Sequence, residues 1–528
     1  MSDTGAIPAF LARLADAHIV VERAPSERLS PARVVTLAAA DWGAAGKLAF
    51  EASFRHAGIW GDHVDDEIRL FACLVSQGNY LVLACGVPAN ESGLASHAPY
   101  FPGVDRMERH LHDMLGVAFI DHPNATRWTR HQAWPEDVFP LRADFPLDGR
   151  APRRARADND YPFASVLGSG VYEIPVGPVH AGIIEPGHFR FHAVGEQVLR
   201  LEERLGYTHK GAEKLAVGRD AAGLARLANR ISGDSAVSHA WAACMAMERA
   251  ASLQVPPRGQ AMRAILAERE RIANHLGDIG AICNDVGFAF AHMQFGRLRE
   301  IWQRGNQTVF DHRLLMDRVV PGGIAADISD EGLRLLQSQC VELSRELDGL
   351  MPIIDDLPSL EDRLVMTGVF SEIDARTLGA LGYVAKASGI DYDLRRDHGY
   401  APYDALEVKS PCLTDGDVAS RVQIRAEELR DSLDLIENLL RQLPEGQVSA
   451  PWPEGTAGVD GIGLIEGWRG EILSYVRFDA DGRVARFFPR DPSWFNWQAL
   501  ERLIHGNIVP DFPVCNKSIN GSYSGHDL

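Results

Sequence analysis

Apolar residues recur at helical spacing in three long stretches of this chain. The clearest stripe consists of Val422, Ala426, Leu429, Leu433, Ile436, Leu440 and Leu443. Its members are separated by alternating steps of four and three, which keeps them on one side of an α-helix. The segments from Leu333 to Leu350 and from Ile265 to Ile282 follow nearly the same rule. We interpret each stripe as a face packed in a core, so the pattern predicts a helical bundle.

Other segments have the pattern of β-strands. The apolar segment from Leu70 to Val87 is interrupted by the polar residues Ser76 to Asn79, which predicts two strands joined by a turn rather than a membrane span. Near the C-terminus, Gly470 to Phe478 is followed by an acidic, glycine-containing turn and then Val484, as in a β-hairpin. Small sheets should therefore accompany the bundle, which predicts an α+β fold.

A change in composition divides the chain. Residues 1 to 148 alternate short helical and strand-like segments, as in an α/β domain, whereas residues 148 to 158 are polar, basic and poor in large apolar side chains. We predict an N-terminal domain over residues 1–148, a linker over 149–165 and a mainly helical domain over 166–528. A chain of 528 residues is long enough for such a division.

Composition narrows the class of protein. A hydrophobic content of 46% suffices for globular cores, and a formal charge of -19 argues against nucleic acid as a partner. The seven cysteines are scattered, as expected of reduced, mostly buried thiols. The start of the chain lacks the basic and apolar parts of a signal peptide, so we expect a cytoplasmic location. No GxGxxG loop opens a βαβ unit, so NAD is not expected on this chain.

The N-terminal part resembles a known family of respiratory subunits. A Leu-Gly-Val block at Leu115 to Val117 is followed by His122-Pro123 and then by Pro140-Leu141-Arg142-Ala143-Asp144-Phe145. This combination is similar to the 30 kDa subunit of respiratory complex I. The resemblance implies the α/β domain of that subunit over residues 1–148.

The remainder resembles the complex I 49 kDa subunit, and more closely the large subunit of group 4 membrane-bound nickel-iron hydrogenases. The blocks that carry this resemblance are Gly177 to Arg190, Gly206 to Lys214, Glu270 to His275, Cys283 to Gly287, Arg395 to His398 and Pro489 to Trp497. The resemblance implies a helical bundle with small β-sheets. Together, the two resemblances cover nearly the whole chain.

The resemblance also places the metal ligands of the hydrogenases, which are two CxxC pairs. The first pair falls at Ser232 and Ser235, and the second falls at Pro513 and Asn516 beside Cys515. A later register would place the second pair at Ser522 and Gly525 instead. Neither register supplies the soft thiolates that nickel and iron require, so we expect no metal on this chain.

The same comparison supplies candidate site residues. Glu185 stands where the hydrogenases have a proton-carrying glutamate, and His180 and His188 flank it as possible relays. A carboxylate in a buried cleft has a raised pKa, but a glutamate that caps backbone amides is the structural alternative. We expect a polar pocket lined by Glu185, Ser232, Asp234, Ser235, Cys515 and Asn516.

Complex I reduces quinone at the corresponding cleft with a histidine and a tyrosine. Their places fall at Ile184 and Gly233, so neither donor is retained, and Tyr523 is the one candidate substitute. Quinone therefore remains a possible cofactor of a rearranged pocket. A further hypothesis is that the chain is a scaffold whose cleft has no chemical role.

The resemblance implies a peripheral-arm subunit on the cytoplasmic side of the cell membrane. It would belong to a membrane-bound oxidoreductase complex related to energy-converting hydrogenases, coupling electron transfer to ion translocation without a nickel-iron site. The expected partners are a small subunit like the complex I 20 kDa protein, which would carry an iron-sulfur cluster, a ferredoxin-like subunit and antiporter-like membrane subunits. Hydrogenase activity is not expected.

Overall fold

A computed structural model describes residues 5–21, 26–90, 93–131, 134–150, 161–182 and 184–528. Most of the predicted linker, residues 151–160, lies outside the described residues. The flanking residues 161–167 contain no helix or strand. Among the described residues, no helix combines the length and the apolar character that crossing a membrane requires.

The N-terminal part is built on a five-stranded sheet. Its strands have the order β1-β2-β5-β4-β3, with β2 and β5 parallel and the other neighbours antiparallel. The predicted pair of strands within Leu70–Val87 is confirmed as β4 and β5, joined at Gln77 and Gly78. The elements are α1 (Ala6–Asp16), β1 (Ser26–Leu29), β2 (Ala32–Thr36), α2 (Trp42–Glu51), β3 (Arg55–Val64), β4 (Glu67–Ser76), β5 (Asn79–Pro88), β6 (Gly93–Ala95), α3 (Asp105–Leu115) and β7 (Ala118–Ile120).

Long helices form the body of the second part, as the apolar stripes predict. The helices Pro257–Asp285 and Asp330–Asp355 each pack on the helices Ala289–Phe310 and Val418–Arg441. The helices are α4 (Ala212–Leu215), α5 (Ala221–Ala228), α6 (Ala236–Ala250), α7 (Pro257–Asp285), α8 (Ala289–Phe310), α9 (Asp330–Asp355), α10 (Pro358–Leu364), α11 (Glu372–Leu378), α12 (Gly382–Lys386), α13 (Leu394–Asp397), α14 (Val418–Arg441), α15 (Ser493–Leu503), α16 (Phe512–Ile519) and α17 (Tyr523–Asp527).

Three small sheets complete this part, so the fold is α+β as predicted. Strands β8 (Val171–Val176), β9 (His188–Val194) and β10 (Gln197–Arg204) form one antiparallel sheet. Strands β11 (Val319–Val320) and β12 (Gly323–Ile324) form a short ladder. The predicted hairpin is confirmed as β14 (Gly470–Phe478) and β15 (Val484–Arg490), and β13 (Asp460–Gly467) pairs with the other side of β14.

The two parts are packed sheet against sheet. Trp60 of β3 stacks on Phe488 of β15 and contacts Tyr475 of β14. Glu471 of β14 accepts hydrogen bonds from Arg55 of β3 at 2.7 Å and from Tyr80 of β5 at 2.6 Å. Both aromatic and charged contacts therefore join the N-terminal sheet to the sheet of β13 to β15.

A buried ionic network holds the centre of the helical part together. Arg395 pairs with Asp393 at 2.8 Å and with Glu268 of α7 at 3.0 Å, and Lys386 bridges Asp393 and Glu428 of α14. All five side chains are almost completely buried. The Arg395–Asp397 segment thus serves in structural ion pairing.

Candidate functional site

Three of the predicted pocket residues meet at the N-terminus of α6. The Ser232 hydroxyl donates a hydrogen bond to Asp234 Oδ1 at 2.6 Å, and the Ser235 hydroxyl donates to the same oxygen at 3.3 Å. Ser232 and Ser235 are buried. A short turn before the helix therefore gathers both hydroxyls around one carboxylate.

Ser522 completes this cluster from the other end of the chain. The hydroxyl oxygens of Ser232 and Ser522 lie 2.9 Å apart, and Ser522 Oγ also accepts the backbone N–H of Gly525 at 2.9 Å. This contact favours the later register, in which Ser522 and Gly525 occupy the second ligand pair. Residue 525 has no room for a side chain, because a Cβ there would lie 2.6 Å from Asp491 Oδ2.

Arg469 occupies the centre of the cluster. It lies at the tip of the hairpin between β13 and β14, and its guanidinium donates to Asp234 Oδ1 at 2.9 Å and to Oδ2 at 2.6 Å. Its Nε also donates to the carbonyl of Asn520 at 2.7 Å. Burial alone would raise the pKa of Asp234, but the Arg469 charge and hydrogen bonds lower it below its ordinary value.

A second buried pair lies beside the first. His239 of α6 donates to Asp491 Oδ2 at 2.8 Å, and Asp491 Oδ1 caps the backbone N–H of Ser493 at 2.8 Å. Burial opposes ionisation of Asp491, yet the contacts with His239 and the charge of Arg469 hold its pKa well below the ordinary range. The cluster thus has two carboxylates, each held in its charged form.

These residues do not fit a nickel-iron centre. In the later register the four ligand positions are Ser232, Ser235, Ser522 and Gly525, which offer three hydroxyls and no thiolate. A guanidinium, which cannot bind a cation, lies among them. In the part of the chain that the structure describes, no three His, Cys, Asp or Glu side chains are grouped to hold a metal ion.

Glu185 lies at the edge of this cluster and is exposed. This corrects the expectation of a carboxylate in a buried cleft. Its Oε2 accepts the backbone N–H of Ser524 at 3.0 Å, which is the amide-capping arrangement that was the structural alternative. The loop between β8 and β9 carries Glu185 on the surface of this chain, so it contacts the C-terminal segment without being enclosed by it.

The flanking histidines bond to their own loop. His180 Nε2 lies 2.8 Å from the carbonyl of Gly187, and His188 Nδ1 lies 3.3 Å from the carbonyl of Gly177. Burial lowers the pKa of His188. Both contacts close the loop that presents Glu185.

Cys515 and Asn516 lie on α16, away from the serine cluster. The Cys515 thiol packs against Gly368 and Arg421, and burial raises its pKa to about 12. Asn516 faces the hydroxyl of Tyr523, whose pKa burial raises. Among the described residues, no hydrogen bond joins the Cys515 thiol to Ser232 or Asp234. Contrary to the expectation, neither Cys515 nor Asn516 lines the serine cluster, because helix α16 ends before the chain reaches Ser522.

Tyr523 is buried and packs against Trp497, with 4.7 Å between the ring centroids and the ring planes tilted by 57°. Its backbone neighbour Ser524 is the residue that bonds Glu185. The one tyrosine that could replace a quinone donor is therefore packed in the core of this chain.

Sequence reasoning missed Arg469, Trp468 and Asp491. Trp468 donates to the carbonyl of Asp234 at 2.9 Å, so the whole hairpin tip is bound to the cluster. Gly467 and Gly470 flank this tip, and these two glycines are the feature of the sequence that indicates a tight turn there. The carboxylate of Asp234 needs a cation to neutralise its charge, and a search for that cation could have identified Arg469.

Family models match three stretches of the chain. Residues 30–151 match the respiratory-chain NADH dehydrogenase 30 Kd subunit, and residues 285–458 match the 49 Kd subunit. Residues 210–277 match the nickel-dependent hydrogenase family. The hydrogenase match includes Ser232 and Ser235.

Curated relatives and a solved structure agree with these matches. The chain is 30% identical to formate hydrogenlyase subunit 5 of Escherichia coli (strain K12), over 85% of this chain and 79% of that protein. It is 34% identical to the carbon monoxide-induced hydrogenase of Rhodospirillum rubrum, over 66% and 97%. A chain in the structure of an archaeal membrane-bound sulfane sulfur reductase is 25% identical, with a TM-score of 0.65 and coverage of 69% and 100%. The chain therefore belongs to the family of complex I-like 30 kDa and 49 kDa subunits that includes the subunits of group 4 membrane-bound hydrogenases.

Proposed function

We propose that this chain is the large peripheral subunit of a membrane-bound oxidoreductase complex that contains no nickel-iron centre. The complex couples electron transfer to ion translocation, and the chain lies on the cytoplasmic side of the membrane. One observation carries the proposal: Arg469 and Asp234 form a two-point ion pair among Ser232, Ser235 and Ser522, where the hydrogenases have metal ligands.

The ion pair has a physical consequence for the site. A guanidinium and a carboxylate neutralise each other and fix the geometry of the three hydroxyls without a metal. The proposed partners are a small subunit with an iron-sulfur cluster, a ferredoxin-like subunit and antiporter-like membrane subunits. Two relatives of this chain support this proposal, since one is a subunit of formate hydrogenlyase and the other belongs to an archaeal respiratory membrane complex.

Glu185 is the proposed proton carrier of the site. It is exposed on this chain and reaches the C-terminal segment through Ser524, two residues after Ser522. A small subunit docked over this loop would enclose the carboxylate. His180 and His188 position the loop, and the role of Glu185 would then be to exchange protons during electron transfer.

The test is to purify the tagged chain from membranes and identify the proteins that accompany it. The proposal predicts an iron-sulfur small subunit and antiporter-like subunits in constant ratio. With reduced methyl viologen as donor, the complex should reduce an added acceptor, either a polysulfide or a water-soluble quinone, without evolving hydrogen. A chain that purifies alone from the membrane fraction, or a complex that evolves hydrogen, would reject the proposal.

A further inference from the structure

A cavity of about 740 Å³ lies where the N-terminal part meets the helical part. Helix α3 of the N-terminal part lines it, together with strand β10 and helix α15 of the helical part. This volume is typical of small-molecule sites. The cavity is separate from the serine cluster, none of whose members lines it.

Three basic side chains are grouped at the mouth of this cavity. Arg200 belongs to β10, Arg502 lies in the last turn of α15, and His505 follows two residues after that helix ends. All three are exposed. Burial lowers the pKa of His505, and the charges of Arg502 and Arg200 lower it further against the opposing charge of Asp374. The fold therefore holds the three basic groups close enough to repel one another.

No carboxylate of the described chain neutralises this group fully. The side chains of Arg502 and His505 make no hydrogen bond and no ion pair with any described residue. Arg200 has one distant ion pair, in which its Nη2 lies 3.7 Å from Glu202 Oε2, and that same oxygen accepts the backbone N–H of Ala164 at 3.0 Å. The mouth of the cavity thus combines an excess of positive charge with N–H donors that have no acceptor.

The deeper carboxyl groups of the cavity do not cancel this charge. Asp105 is paired with Arg109 at 3.1 Å, and Glu203 and Glu501 share Arg106 at 3.1 and 2.9 Å. Burial raises the pKa of both Glu203 and Glu501, against the opposing charge of Arg106. These acids are therefore either paired with their own arginine or less readily ionised, which leaves the basic groups at the mouth in excess.

We propose that the mouth of this cavity binds the phosphate group of a small organic molecule through Arg200 and Arg502. The planar guanidinium group donates two parallel hydrogen bonds to a phosphate, and two such groups balance its charge. Leu199, Leu201 and Leu378 line the same cavity, so an apolar body attached to the phosphate has a surface to contact. The phosphate belongs either to a free small molecule or to a phospholipid headgroup. This inference does not depend on the proposed function.

The test is calorimetric titration of the purified full chain with phenyl phosphate. Benzyl alcohol, which has the same ring and no charge, is the matched control ligand, and sodium chloride at equal ionic strength controls for salt. Saturable binding of phenyl phosphate but not of benzyl alcohol is expected. Arg502→Gln should weaken this binding about tenfold or more, because it removes a charged hydrogen-bond donor. Arg441→Gln changes an exposed arginine in the last turn of α14, outside the cavity, and should leave the affinity unchanged.

Vesicles distinguish the two sources of the phosphate. The chain is sedimented with phosphatidylcholine vesicles that contain or lack phosphatidylglycerol. Association that requires phosphatidylglycerol and is lost in Arg502→Gln identifies a lipid headgroup, and its absence identifies a free small molecule. Arg200→Gln is the second variant, with the same expectation as Arg502→Gln. Absence of saturable phenyl phosphate binding, equal binding of benzyl alcohol, or unchanged affinity in both folded glutamine variants overturns the proposal.

Discussion

At the scale of single residues, a charge pair lies among the positions that correspond to the metal ligands of the hydrogenases. Arg469 is almost completely buried, with 4% of its side chain exposed, and it holds both oxygens of Asp234. Three hydroxyls then face this pair in place of thiolates. Hydrogen bonds, rather than metal coordination, therefore connect the turn before α6 with the C-terminal segment.

Arg469→Ala should destabilise the fold. The change leaves Asp234 without its partner and removes the bond to Asn520. Loss of one partner of a buried pair costs about 3–5 kcal/mol, and because 33% of the Asp234 side chain is exposed we expect about 2–3 kcal/mol in the free energy of unfolding. Urea denaturation measures this. The control is Lys409→Ala, which breaks the exposed ion pair with Asp434 and should lower the free energy of unfolding by less than about 1 kcal/mol. Equal effects of the two variants would contradict a structural role of the Arg469–Asp234 pair.

Glu185→Gln separates a proton carrier from a capping residue. Glutamine can still accept the Ser524 amide through its side-chain oxygen, so the free energy of unfolding should change by less than about 0.5 kcal/mol. It cannot release a proton, so turnover of the complex should fall at least tenfold. Viologen-dependent turnover is the measurement, with Glu196→Gln as control. Unchanged turnover would favour a chemically silent scaffold.

At the scale of elements, the hairpin tip between β13 and β14 positions the site. Gly467 to Gly470 insert between α6 and the start of α12, so that Trp468 and Arg469 reach Asp234. Gly382 makes this approach possible: its φ is +57°, and a Cβ there would lie 2.2 Å from the carbonyl oxygen of Arg469. The backbone of α12 thus determines the position of the hairpin tip.

Gly382→Ala should therefore displace the tip and weaken the ion pair. The left-handed backbone costs about 1–2 kcal/mol for alanine, and the clash with the Arg469 carbonyl adds to it. Gly211→Ala has a similar φ of +72° but open space around the new Cβ, so it isolates the backbone cost. Denaturation of the two variants should show Gly382→Ala as the more damaging by about 1–3 kcal/mol. A smaller loss than in Gly211→Ala would refute the packing argument.

The sequence predicts elements better than it predicts contacts between them. The stripes from Val422 and Leu333 identify α14 and α9, because helical periodicity is a local property of the chain. The cluster of Ser232 and Ser522 joins residues 290 positions apart, and no local pattern encodes their distance. Arg469 was missed for the same reason, since a turn arginine looks like a solvated residue. The family motif identifies Ser232 and Ser235, whereas it places the second pair first at Pro513 and Asn516 and only in a later register at Ser522 and Gly525.

At the scale of the whole molecule, the two matched parts behave as one packed unit. Trp60 and Phe488 stack between the sheets, and Arg55 and Arg490 both bind Glu471. Separate family models match stretches of the two parts, whereas in the structure the N-terminal sheet packs directly on the sheet of β13 to β15. The buried carboxylate of Glu471 stabilises that interface.

Acid should loosen this interface. Burial opposes ionisation of Glu471, but Arg55 and Arg490 lower its pKa to about 2. Since its folded pKa lies below the unfolded value of about 4.3, its contribution is complete above that pH and is lost as pH falls towards 2. The free energy of unfolding should therefore drop between about pH 5 and 2, and Glu471→Gln should show a shallower drop from a lower starting stability. Denaturation across this pH range tests it; an equal slope in both proteins would show that Glu471 does not contribute.

The central claim is that an ion pair, and no nickel-iron centre, occupies the place of the hydrogenase metal site. The most direct measurement is the nickel content of the complex purified from nickel-supplemented cells, determined by mass spectrometry and expressed per mole of this chain. Iron cannot decide the matter, because the proposed small subunit carries it. The account predicts nickel at background level. About one nickel per chain would contradict it.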